Sequence, residues 1–138
     1  MYQLSARNQF TGKIVKITEG AVNGVVVLDV NGENVSGTIS MEAIKSLDLA
    51  VGKEAVAVIK ATEVMVGKGK LPLSARNQFP GKVVSITEGA VNAVVKIEVL
   101  GGNTITANIT IAAVKELGLT VGGDATAVVK ATSVMIGI

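Results

Sequence analysis

Three polar clusters are retained in two places along this chain while surface positions elsewhere have drifted, such as Lys16 against Ser85 and Lys53 against Gly123. Ser5-Ala6-Arg7-Asn8 returns as Ser74-Ala75-Arg76-Asn77, Lys60-Ala61-Thr62 as Lys130-Ala131-Thr132, and the hydroxyl of Ser40 as that of Thr110. Arginine brings a fork of N–H donors and a permanent charge, lysine a rotatable ammonium, serine and threonine a hydroxyl. Ser40 and Thr110 each precede an expected helix, where free backbone N–H groups attract anions. All three clusters offer donors and positive charge. None contains a carboxylate pair or a nucleophile beside a base. The chemistry this suits is capture of an oxyanion, not acid–base or covalent catalysis. Each residue also has a plainer reading: Arg7 as a surface salt-bridge arginine, Lys60 as an exposed lysine at a strand end, Ser40 as a simple helix cap. Joint retention of all three clusters favours a shared role. A fourth stretch, Glu19-Gly20-Ala21-Val22-Asn23, returns as Glu88-Gly89-Ala90-Val91-Asn92. It reads equally as a tight turn presenting backbone N–H groups and as an ordinary β-turn that needs glycine.

Composition narrows the chemistry further. The 138 residues include no Cys, His or Trp. That excludes a disulfide framework, a thiolate site, a Ser-His-Asp triad and imidazole ligation of a metal. The only aromatic residues are Tyr2, Phe10 and Phe79, a poor supply for stacking single-stranded bases. Thirteen Lys and Arg against eleven Asp and Glu leave a net charge of +2, too small a surplus for a groove that tracks many phosphates. No apolar run approaches the ~18 residues that would span a bilayer. The start, Met1-Tyr2-Gln3-Leu4-Ser5, lacks the charged-then-apolar order of a signal peptide. A soluble cytoplasmic protein is the simplest expectation, with neither nucleic acid nor membrane as partner.

The elements that must hold these clusters come from a tandem duplication. The two copies keep an offset of 69 up to Gly32 and Gly101, and of 70 from Ile39 and Ile109, so the second carries one extra residue near Gly102. A period this long exceeds the ~20–50 residues of a solenoid repeat and indicates two fused small domains. The expected division is 1–67, a linker at 68–72, and 73–138. A domain of that size buries only about 60% of its unfolded surface, so oligomerisation is expected.

Each copy reads as mostly strand. Gly12 to Thr18 alternates. Val25 to Val30 sets Val26, Leu28 and Val30 on one face and Asp29 on the other. Asn31-Gly32 is a hairpin signal, with Gly101-Gly102-Asn103 as a looser counterpart. Val35 to Ile39 and Ala55 to Ala61 supply further strands. Met41 to Leu47 and Ile111 to Leu117 read as short helices behind Ser40 and Thr110. The fold expected is mainly β: two tandem OB-like five-stranded barrels, each with one short helix and a closed sheet that protects its edges.

The Ser-Ala-Arg-Asn-Gln-Phe start, the Glu-Gly-Ala-Val-Asn turn and the Val-Ile-Lys-Ala-Thr-Glu-Val-Met end, in that order and twice over, resemble the Mop or molbindin family, in its tandem di-Mop form. The resemblance implies OB-like barrels and binding of molybdate or tungstate, with no cofactor and no enzymatic activity, in an assembly that for tandem members is a trimer. It also implies two classes of oxyanion site. One lies between domains and here would use Ser5, Ala6, Arg7, Ser40, Lys60, Ala61 and Thr62, with Ser74, Ala75, Arg76, Thr110, Lys130, Ala131 and Thr132 from the second copy. One pocket would mix elements of different domains. The other class lies near a threefold axis and is placed at Glu19, Gly20, Ala21, Val22 and Asn23, and at Glu88, Gly89, Ala90, Val91 and Asn92. Two alternatives stay open: an OB-type nucleic-acid binder, and a regulatory subunit that senses molybdate.

Overall fold

The strand Val25–Val30 shows why this chain forms sheets. Val26, Leu28 and Val30 are buried and Asp29 is exposed, as strict alternation requires. The hairpin after it turns on Asn31 and Gly32, with φ of 51° and 89°. Positive φ at both central residues gives the type I′ turn whose twist matches the flanking strands. The Asp29 carboxylate accepts a hydrogen bond from the Gly32 N–H at 2.8 Å.

The computed structural model describes residues 2–99 and 101–138; Met1 and Leu100 lie outside the described residues. The first copy runs β1 (Asn8–Glu19), β2 (Asn23–Val30), β3 (Glu33–Ser40), α1 (Met41–Ser46), β4 (Glu54–Ile59) and β5 (Met65–Gly67). The second runs β6 (Asn77–Glu88), β7 (Asn92–Val99), β8 (Asn103–Thr110), α2 (Ile111–Glu116), β9 (Asp124–Val129) and β10 (Met135–Gly137). The fold is mainly β, two curled five-stranded sheets of the expected OB-like kind, with the helix after the third strand of each copy.

Three local expectations are corrected. β1 is longer than Gly12–Thr18 and carries a bulge between Ile14 and Lys16. The bulge lets Ile14 face the core while Val15 and Lys16 are both exposed. The strand expected over Ala55–Ala61 stops at Ile59. There the Lys60 carbonyl accepts the Glu63 N–H at 2.9 Å, folding Ala61–Glu63 into a 3-10 turn. Finally, among the described residues the sheets do not close by a ladder. β3 and β10 are the two outer strands of one sheet, β8 and β5 of the other, and the first pair meets through side chains where Ile136 and Val134 pack over Gly37.

The order of strands carries a feature absent from the sequence pattern. One sheet runs β10-β4-β1-β2-β3 and the other β5-β9-β6-β7-β8. Each copy therefore donates its last strand to the other copy's sheet: Met135 pairs with Val58, and Met65 with Val128. Buried residues of both copies form one apolar cluster, from Phe10, Leu28 and Val35 to Phe79, Ile97 and Ile105.

Candidate functional site

The ladder between β1 and β4 brings two of the clusters to one corner. Asn8 pairs with Ile59, so Arg7 and Lys60 are the next residues outward on adjoining chain segments. Ser5-Ala6-Arg7 leads into β1 there and Lys60-Ala61-Thr62 leaves β4. The second copy repeats this at Asn77 and Val129, with Ser74-Ala75-Arg76 beside Lys130-Ala131-Thr132. Ser5, Arg7, Lys60 and Thr62 are exposed, as are Ser74, Arg76, Lys130 and Thr132. Ala6, Ala61 and Ala75 are half-buried and Ala131 is buried. Among the described residues the ion pairs are Lys53–Asp48 and Lys82–Asp124. Neither the two arginines nor Lys60 and Lys130 are taken up in one. A salt-bridge arginine is thus not what the structure shows at Arg7 or Arg76. Arg76 and Ala75 also line a cavity of about 730 Å³ with Gly69 to Leu73, Gln78, Pro80 and Thr126.

The other two clusters meet at the opposite end of β1. Ser40 pairs with Asn23, and Thr110 with Asn92. The Met41 N–H donates to the Val22 carbonyl at 2.8 Å and the Ile111 N–H to that of Val91 at 2.9 Å. The hydroxyls of Ser40 and Thr110 accept from the N–H groups of Ala43 and Ala113 at 3.0 and 3.1 Å. Both are true helix caps, and each hydroxyl proton remains able to donate. The two Glu-Gly-Ala-Val-Asn turns lie beside these caps and present Val22 and Val91, 73% and 71% exposed.

β1 has 12 residues, so at ~3.3 Å each its two ends lie on the order of 35 Å apart along the strand. Within one copy, Arg7 and Ser40 are therefore not neighbours. Across copies they draw closer. The 3-10 turn after Lys60 packs on β8 of the other copy, and the turn after Lys130 packs on β3. The Asn8 side chain reaches Thr106 in β8, and Thr110 follows ~13 Å farther along that strand. The structure thus groups the Arg7–Lys60 corner with the Thr110 strand, and the Arg76–Lys130 corner with the Ser40 strand.

Asn8 and Asn77 were legible only as members of the donor cluster. The structure gives them a different place: each is 1% exposed and bonded to the backbone of the other copy. Their retention ahead of an apolar strand was the available signal. The 3-10 turns also meet, the Ser133 hydroxyl lying 3.2 Å from the Glu63 carboxylate. No group of three metal-ligating side chains occurs among the described residues. Among the described residues the one clear electrostatic perturbation is remote: a hydrogen bond from Lys82, then its charge, holds Asp124 below the ordinary carboxylate range.

A family model described as the TOBE domain matches residues 4–66 and again 73–136. The chain is 56% identical over 68 residues to a probable molybdenum-pterin-binding protein of Haemophilus influenzae, covering 49% of this chain and 99% of that one. It is 39% identical over 137 residues to the molybdenum transport protein ModE of Herbaspirillum seropedicae, covering 97% of this chain and 51% of ModE. It thus spans about half the length of that relative. A crystal structure of the cytoplasmic molybdate-binding protein ModG with molybdate bound superposes with a TM-score of 0.96 at 43% identity, covering 99% of each chain. The chain belongs to the TOBE-domain family, as a tandem, Mop-type member with two copies of the domain.

Proposed function

We propose that this chain binds molybdate or tungstate and serves to store and buffer the oxyanion in the cytoplasm, as a homotrimer and without catalysis. The observation that carries the reading is the pair of corners where Arg7 meets Lys60 and Arg76 meets Lys130, each exposed and free of ion pairs among the described residues. The ligand is a tetrahedral dianion with an acceptor oxygen at every corner. It needs converging N–H and O–H donors and compensating charge, and arginine with lysine supplies both. The metal arrives with its oxygens bound, so the lack of Cys and His is no obstacle. In this reading the interdomain sites use Ser5, Ala6, Arg7, Lys60, Ala61 and Thr62 with Thr110, and their counterparts Ser74, Ala75, Arg76, Lys130, Ala131 and Thr132 with Ser40. The turns at Glu19–Asn23 and Glu88–Asn92 form the second class, near the threefold axis. Rejection of sulfate rests on a donor cage sized for the larger ion.

Native mass spectra before and after adding molybdate, with sulfate as control, test this. A trimer that gains several molybdates and no sulfates is the expected result. A protein that takes up neither overturns the reading.

A further inference from the structure

Asn8 and Asn77 are the most deeply buried polar side chains of the described residues, and both look away from their own copy. The Asn8 side-chain amide donates to the Thr106 carbonyl at 2.8 Å and accepts from the Thr106 N–H at 2.7 Å. Asn77 does the same with Ser36, at 2.8 Å in both directions. Each amide thus imitates a peptide group and pairs with one residue on the free side of an outer strand, β8 or β3. A buried polar group satisfied on both sides fixes its position strictly, because losing either bond leaves unpaired groups in a low-dielectric setting.

The place of this clasp gives it a use. Arg7 is bonded to Asn8 through the chain, and Lys60 follows Ile59, the ladder partner of Asn8. Thr106 lies in the strand that leads to Thr110. The clasp is the point where the Arg–Lys corner of one copy is held on the hydroxyl-bearing strand of the other. We infer that Asn8 and Asn77 are positioning residues for oxyanion binding: each sets the distance and angle between the Arg–Lys corner of its own copy and the opposing strand, and neither touches the ion. The inference rests on the oxyanion reading above. Donor cages lose affinity when their supporting contacts are loosened by about 1 Å, so the effect is local to one corner.

The test is calorimetric titration of the full chain with sodium molybdate, comparing wild type, Asn8→Ala, Arg7→Ala and the double variant. Amide hydrogen exchange at Thr106 and Ser36 is read in parallel. Asn8→Ala is expected to weaken the same sites that Arg7→Ala removes, by at least about tenfold, the equivalent of one net hydrogen bond. The Arg76 corner keeps its affinity, the double variant loses nothing beyond Arg7→Ala, and only the Thr106 N–H exchanges faster. Asn77→Ala gives the mirror result. A folded Asn8→Ala with unchanged molybdate binding, or one that weakens both corners equally, overturns the inference. If Asn8→Ala does not fold, the isosteric Asn8→Asp takes its place. Its carboxyl donates to the Thr106 carbonyl only when protonated, so binding at the Arg7 corner recovers as pH falls while the Arg76 corner serves as internal control. Absence of that recovery also overturns it. A wild type that binds no molybdate refutes the oxyanion reading, a separate outcome.

Discussion

The exchanged strands are matched to the sheets they complete, and the match can be broken and repaired. A methyl group added at Gly37 would lie 3.2 Å from Cδ1 and Cγ1 of Ile136 and 3.3 Å from Cγ1 of Val134. Carbon atoms prefer ~3.5–4.0 Å, so the neighbours must yield by a few tenths of an ångström. In the other sheet the corresponding strand residue is Ala107 and the corresponding exchanged residue is Val66. One sheet combines the smaller strand residue with the larger donated one, and the other reverses this. Gly37→Ala should cost ~1–3 kcal/mol in overpacking, offset by ~0.4–1 kcal/mol from a stiffer unfolded chain. The net expected loss is about 1 kcal/mol. Ile136→Val alone should cost ~0.5–1.5 kcal/mol for the missing methyl. In the Gly37→Ala background that methyl is one of the three atoms in the way, so the double variant should be more stable than the two losses predict, by ~0.5 kcal/mol or more. Urea unfolding of the four proteins, with m-values compared to confirm the same transition, measures this. Strict additivity within ~0.3 kcal/mol would refute the packing argument.

The double variant Arg7→Ala with Arg76→Ala should unfold within ~0.5 kcal/mol of wild type, since both side chains are exposed and outside any ion pair described. Its calorimetric signal with molybdate at the interdomain sites should vanish; unaltered binding would count against the site assignment. Lys60→Ala with Lys130→Ala should weaken binding and leave the remainder more sensitive to salt, read by titration at two ionic strengths. Ser40→Ala or Thr110→Ala should each lower stability by ~1 kcal/mol through loss of the cap, seen in thermal unfolding. Asp124 is held low by Lys82. Its contribution to stability is present at neutral pH and lost as pH falls below the ordinary carboxylate value through the lower folded one. Lys82→Ala should return the Asp124 titration to the ordinary range by NMR and flatten that acid limb.

Much of the fold was legible because local signals agreed with the final structure. Val26, Leu28 and Val30 alternate with polar neighbours, Asn31-Gly32 can adopt positive φ, and Ser40 caps a six-residue helix. The exchange of β5 and β10 was not legible. Alternation says which face of a strand is buried, but not which sheet it joins, and both sheets offer nearly the same partner residues. Inside Gly12 to Thr18 the bulge itself was not legible, and it breaks strict alternation at Val15 and Lys16. The donor clusters were visible as retained residues, but their pairing was not. Only the register Asn8 to Ile59 sets Arg7 beside Lys60, and only contact between copies separates the clasping asparagine from the donors next to it.

The strand exchange also orders events during synthesis. The first sheet has β1 through β4 on the growing chain well before its outermost strand exists. Ile136, which packs over Gly37 and pairs with Ala57, is made only after almost the whole second copy. Until then the β4 edge lacks its native partner strand on a nascent chain, a state prone to pair with other chains. Each ribosome must therefore carry an incomplete first sheet past the making of the second. A crowded polysome offers a neighbouring chain's final strand as a ready, and wrong, substitute.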